Sequence, residues 1–170
     1  MKKILCVALC VFMLFSLTAC VEDTPDKEVA SSSEASVSKV QTFGLNETAV
    51  FRDLKFTATE MEESDGDSFF TPEEGNVFVG VKFTVENISS EEQSISSILL
   101  FEAYADDIKC DYSFSAACAF DDGTLDGSVA AGKKLVGWYA VEVPEDWATL
   151  ELEVQADWLS NTSATFVFEK

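Results

Sequence analysis

Histidine is absent from the 170 residues. That removes the commonest general base and the commonest zinc ligand, and leaves no imidazole to activate a serine or a thiol. No Gly-x-Ser-x-Gly turn occurs either, so the nucleophile elbow of the α/β hydrolases is missing. Positive charge is scarce: 11 Lys and Arg stand against 31 Asp and Glu, a formal charge of −20. Such a surface repels nucleic acid and anionic lipid, which excludes both as direct partners of the folded part. The chain also lacks an apolar run long enough to span a bilayer. Ile4 to Ala19 is 16 residues, short of about 20. No segment carries a helical apolar stripe, and no internal repeat is present.

What is there begins at the N-terminus. Lys2 and Lys3 precede the apolar run Ile4–Leu17, and the small residues Thr18 and Ala19 lead into Cys20. Basic, apolar, small is the layout of a secretory signal. With a cysteine directly after the small residues, Leu17-Thr18-Ala19-Cys20 resembles the lipobox of a bacterial lipoprotein signal. The resemblance implies cleavage before Cys20, a lipid on its thiol, and acylation of the new amino group. The alternative is an uncleaved membrane anchor, but the run is short and Glu22 and Asp23 follow it in place of a basic stop. Cleavage would remove Lys2, Lys3 and no acid, taking the formal charge from −20 to −22. Residues 1–19 are thus read as the signal, with the membrane as a partner through the lipid on Cys20. Two or three acyl chains, at about 0.8 kcal/mol per buried methylene, anchor firmly where one is reversible.

Residues 20–41 hold no aromatic side chain and are rich in Ser, Glu, Asp and Lys. They cannot bury enough apolar surface to order themselves, and are read as a flexible tether reaching about 25 Å on average. Residues 42–170 suffice for one domain with a core. Their pattern is mostly period two. Val77, Val79, Val81, Phe83 and Val85 fall on one face of a strand over Asn76–Asn87; Phe78, Gly80, Lys82, Thr84 and Glu86 form a largely polar opposite face. Leu150 to Ala156 alternates as cleanly. Further strands are expected at Ala49–Phe51 with Leu54–Glu60, Ser97–Ala105, Ile108–Phe114, Leu135–Val143 and Ala164–Phe168. A single helical turn fits Glu91–Leu100 or Ser115–Ala119. Seven or eight short strands separated by turn-forming clusters predict an all-β sandwich.

Three pieces of this pattern resemble a known family. Asn76–Val85 runs into Glu86-Asn87-Ile88-Ser89-Ser90, and later come Ala131-Gly132-Lys133-Lys134-Leu135-Val136-Gly137-Trp138 and Val141-Glu142-Val143-Pro144. Together they are similar to the immunoglobulin-like domain of unknown function found in lipoproteins of Gram-positive bacteria, itself similar to a secreted mycobacterial antigen. The resemblance implies an immunoglobulin-like β-sandwich over about Gly44–Lys170, with no cofactor or catalytic residue to carry over. The antibody-type Cys…Trp…Cys arrangement is absent. In physical terms Gly132 suits a turn with positive φ, Gly137 a close strand approach, and Pro144 a strand end.

Of the five cysteines, Cys6 and Cys10 lie in the signal and Cys20 takes the lipid. Cys110 and Cys118 remain. Outside the cytoplasm a bridge between them is permitted and would stabilise by about 2.5 kcal/mol; two buried thiols are the alternative. A bridge would need a turn near Ser113–Ala117. Asp122, Thr124, Asp126 and Gly127 match early positions of a calcium loop, but Lys133 falls where a bidentate Glu is required, so no metal is expected. Asn87-Ile88-Ser89 matches a glycosylation sequon and reads here as a turn. Trp138 and Tyr139, adjacent on a strand, point to opposite faces, which leaves one of them outside the core. Tyr104 to Gly127 interleaves aromatics with acids, and Tyr112, Asp121, Asp122 and Asp126 are the candidate interaction surface, suited to a basic protein or a cationic ligand. The expected function is a non-enzymatic binding or interaction module, with an accessory subunit of an envelope complex as the alternative and a hydrolase as a remote third.

Overall fold

The computed structural model describes residues 42–121, 123–155 and 162–170. The residues read as signal, lipidation site and tether lie outside the described residues. Two antiparallel sheets face each other. The first has the order β1-β11-β10-β6-β7, from β1 (Thr42–Phe43), β6 (Phe101–Ala105), β7 (Ile108–Cys110), β10 (Thr149–Gln155) and β11 (Ser163–Glu169). Within this sheet β1 pairs in parallel, along β11. The second has the order β2-β3-β4-β9, from β2 (Thr48–Val50), β3 (Leu54–Ser64), β4 (Asn76–Asn87) and β9 (Lys134–Pro144). A small ribbon joins β5 (Gln93–Ile95) to β8 (Gly127–Val129). The fold is the expected β-sandwich, with eleven strands among the described residues, several of only two or three residues.

Alternation builds the interior. Val77, Val79, Val81, Phe83 and Val85 of β4 are all buried, as are Leu150, Leu152 and Val154 of β10 opposite. Fully burying each such side chain stabilises by roughly 1.5–3 kcal/mol over leaving it in water. Phe101 sits at the centre, stacked on Tyr139 at 4.8 Å and edge-on to Phe83 and Phe56 at 5.3 and 5.9 Å. Gly132 has φ +69°, and Pro144, which lacks a ladder donor, is the last residue of β9.

Helical turns occur at both places where one fits, Glu91–Leu100 and Ser115–Ala119, and they shorten two of the expected strands. Ser97–Leu100 is a helical turn, α1, so the strand expected from Ser97 begins only at Phe101. β7 ends at Cys110, and Phe114–Cys118 is a short helix, α2, whose first turn is capped by Ser113 Oγ accepting from Ala116 N. Helix α2 packs on the outer face of β4 and β9. There it forms a second small core in which Phe120 stacks on Trp138 at 4.8 Å, with Phe78, Ala116, Ala117 and Ala140 around them. The outer face of β4, expected to be largely polar, is therefore buried at Phe78 and Gly80. Trp138 and Tyr139 do point to opposite faces, yet both are buried, Tyr139 in the main core and Trp138 under α2.

Candidate binding surface

The hairpin β6–β7 turns through Asp106 and Asp107, at φ +48° and +66°. A two-residue turn with both central residues at positive φ matches the right-handed twist of its strands, and aspartate tolerates that region better than most residues. The Asp106 carboxylate accepts from Ala148 N at 3.1 Å and Thr149 N at 2.8 Å, which fixes the hairpin to the start of β10. Those two amides hold the Asp106 carboxyl below its usual range. Beyond β7 the chain crosses to the other sheet, where Tyr112 bridges Val141 and Ser113 N donates to Ala140 O. Further on, Leu125 N donates to Trp138 O and Trp138 N to Gly123 O. The outer edge of β9 is thereby partly covered, whereas β7 pairs only with β6 among the described residues.

Of the residues expected to form one surface, Tyr112 and Asp126 come together and Asp121 does not. The Tyr112 ring lies 5.6 Å from that of Tyr139, and its hydroxyl is buried without a well-formed hydrogen bond. Burial, and after it the charges of Asp126 and Cys118, push that phenol up. Asp126 accepts from Ser97 N at 2.9 Å and Ser97 Oγ at 3.1 Å, so it anchors the start of α1. Asp121 lies towards β3, where it adds to the repulsion that, after burial and Glu60, raises the Glu62 carboxyl. Asp122 lies outside the described residues. Cys110 and Cys118 are both free thiols. The turn that a bridge needs is replaced by α2, which takes Cys118 with it while Cys110 packs against the main core at the edge of the first sheet. Burial raises the Cys110 thiol. Among the described residues no group of three acidic or cysteine side chains is placed to hold a metal ion.

Two cavities open along β7. One, of about 360 Å³, lies beside Ile98, Leu99, Phe101, Tyr112 and Tyr139. The other, of about 470 Å³, separates β7 from the end of β9 and is lined by Ala105, Ile108, Asp111, Val143, Pro144 and Asp146. Ile98, 72% exposed, and Leu99, 61% exposed, line the first of these cavities, and Ile108, 74% exposed, lines the second. The nearby cation, Lys109, is engaged: its Nζ lies 3.3 Å from Glu102 Oε2, and Tyr104 Oη donates to the same oxygen at 3.0 Å. The Tyr104 bond first, and Lys109 after it, hold the Glu102 carboxyl down.

The family described as a domain of unknown function, DUF4352, matches residues 43–164. The chain belongs to it. Solved structures agree on the fold. The yjhA protein from Bacillus subtilis superposes with a TM-score of 0.58 at 17% identity, over 72% of this chain and 97% of its own. MPT63, a secreted protein from Mycobacterium tuberculosis, gives 0.54 at 13% identity, over 78% and 99%. The ycdA protein from B. subtilis gives 0.58 at 14% identity over 72% of this chain, which spans only 38% of ycdA. No curated protein matches the sequence. Within this DUF4352 domain the exposed residues Ile98, Leu99 and Ile108 were not singled out by sequence. A weak signal existed: an isoleucine directly after an Asp-Asp turn, at the start of the strand expected over Ile108–Phe114. The helical turn that exposes Ile98 and Leu99 lies within Glu91–Leu100, where one fits, but four residues without a side-chain cap do not fix which side chains it turns outward.

Proposed function

We propose that this DUF4352 protein is a non-enzymatic, lipid-anchored binding module on the extracytoplasmic face of the membrane. The address rests on Leu17-Thr18-Ala19-Cys20 after a basic and apolar start. It is supported by ycdA being described as a candidate lipoprotein and MPT63 as secreted. The observation that carries the binding role is the side of the sandwich at β7, where Ile98, Leu99 and Ile108 stand in water beside two cavities. Exposed apolar side chains grouped in this way mark interaction sites. A permanent accessory role in an envelope complex uses the same surface, and differs only in whether the partner ever leaves.

Two measurements test the reading. Wild-type protein should partition into the detergent phase with the mass of a chain cleaved before Cys20, and Cys20→Ala should remain uncleaved and unlipidated. A wild-type chain that keeps Met1 or partitions with water would end the anchor reading. Cross-linking on intact cells should capture partners that Ile98→Asp/Leu99→Asp loses. Identical captures by both proteins would remove the binding role from this side.

A further inference from the structure

We propose that the outer edge of β7 receives an extended segment of another protein, one that alternates basic and apolar side chains and adds as a further strand to the first sheet. This rests on the binding-module reading and goes beyond it by naming the mode and the chemistry of the partner.

The backbone supplies the first argument. Asp106 N donates to Thr149 O, so on β6 the groups directed at β10 alternate through Asp106 and Tyr104. The pair Tyr104↔Lys109 is therefore the non-hydrogen-bonded kind, as a two-residue turn closed by Ala105↔Ile108 also requires. The N–H and C=O of Lys109 then point away from the sheet, and neither finds a backbone partner among the described residues. Natural edge strands are blunted by shortness, lysine, proline, a bulge or a covering loop. β9 is covered by Tyr112 and Gly123–Leu125. β7 is short and carries Lys109, but among the described residues nothing covers it, and Ile108 is 74% exposed.

The second argument is the space beside that edge. The cavity of about 470 Å³ between β7 and Glu142–Pro144 has an apolar floor of Ala105, Val143 and Pro144. An added strand would seat one apolar side chain there and direct its neighbours to the rim. That rim carries Asp106, Asp111, Glu142 and Asp146 against Lys109, which Glu102 already neutralises. Charge complementarity thus selects a basic segment. The same charge disfavours the two nearest other occupants. Residues 20–41 carry Glu22, Asp23, Asp26, Glu28 and Glu34 against Lys27 and Lys39. A second copy would bring the same acidic rim against itself, in a chain of formal charge −20 before processing. The tether also enters at β1, the opposite edge of this sheet from β7.

The test uses the mature full chain in nonionic detergent and the labelled peptide Lys-Val-Lys-Ile-Lys-Val-Lys. Binding should slow amide hydrogen exchange at Lys109, and should weaken about tenfold between 50 and 300 mM salt. Asp111→Asn/Asp146→Asn should weaken binding about fivefold and flatten that salt dependence. Lys109→Pro, tolerated where an edge N–H faces solvent, should abolish binding, while Lys109→Gln should retain or strengthen it. The proposal is overturned if Lys109 exchange is unchanged by the peptide, if Lys109→Pro binds as Lys109→Gln does, or if a Glu-for-Lys peptide binds equally well. Protection of Lys109 in the free chain also overturns it, by a second copy if it depends on concentration and by the chain's own tether if it does not. A captured partner that protects another face while Lys109 exchanges freely would sink this proposal and leave the binding-module reading standing.

Discussion

Replacing Asn87 with alanine should be among the most damaging single substitutions in the domain, although the change is small. Asn87 is fully buried at the end of β4. Its Nδ2 donates to Glu91 O and Val129 O, both at 2.7 Å, and its Oδ1 accepts from Ser89 N at 2.9 Å and Ser89 Oγ at 2.8 Å. The two carbonyls and the one amide fix which way the side chain points, and its full bonding capacity is used. The amide thus ties together β4, the turn after it and β8. Alanine takes the Asn87 donor from the buried Val129 carbonyl and the acceptor from the Ser89 amide, while the Glu91 carbonyl keeps Ser89 Oγ at 3.0 Å. A net hydrogen bond is worth about 0.5–1.5 kcal/mol and a buried unmet partner costs about 1–3. The expected loss is about 3 kcal/mol, allowing for water reaching the more exposed groups. For a domain of this size that is a fall in Tm of roughly 12 °C, with an unchanged urea m-value. Asn87→Asp should cost at least as much at pH 7, since a carboxylate has no hydrogen to offer two carbonyls. Part of that loss should return as the pH falls and the carboxyl regains a proton. Melting within 2 °C of wild type for both variants would refute the reasoning.

Gly137→Ala places a Cβ 2.5 Å from Thr124 O and under 3 Å from two more backbone atoms, and should cost about 2–3 kcal/mol; Gly80→Ala meets the Phe120 ring first, a side chain that can shift where backbone cannot, and should cost less. Reversal of that order in urea melts would contradict the packing described. Asp106 has a folded pKa below its ordinary 3.8, so its contribution to stability is present above that value and is lost as the pH falls through the lower one. Asp106→Asn should accordingly lower Tm at pH 7 and show a shallower decline between pH 5 and 3; parallel declines would remove the carboxylate from the account. Unfolded, unreduced mature protein should take up two alkylating groups, at Cys110 and Cys118, and native protein should react more slowly at Cys110, whose thiol burial raises. No uptake after unfolding would mean a bridge.

The alternation of Val77, Val79, Val81, Phe83 and Val85, and of Leu150, Leu152 and Val154, determined two strands and their inward faces without reference to anything distant. Strand geometry sends successive side chains to opposite faces, so an apolar residue at every second position is local information. Gly132, Pro144 and the Asp106-Asp107 turn belong to the same class, since each is a restriction on one or two φ angles. Which faces ended up covered was decided by tertiary structure. Phe78 and Trp138 occupy outward positions of β4 and β9, and they are buried only because α2 and Phe120 fold over them. The helical turn fitting Ser115–Ala119 was legible from its own residues, but the strand expected over Ile108–Phe114 stops at Cys110, and α2 takes its place by packing on β4 and β9. The scatter of Tyr112, Asp121 and Asp126 has the same origin. Ser97, remote in sequence, claims Asp126, whereas Asp121 goes to the side of β3. Most consequential is the edge of β7, unpaired among the described residues. A strand becomes an edge through what fails to pair with it, and that depends on the path of every other strand.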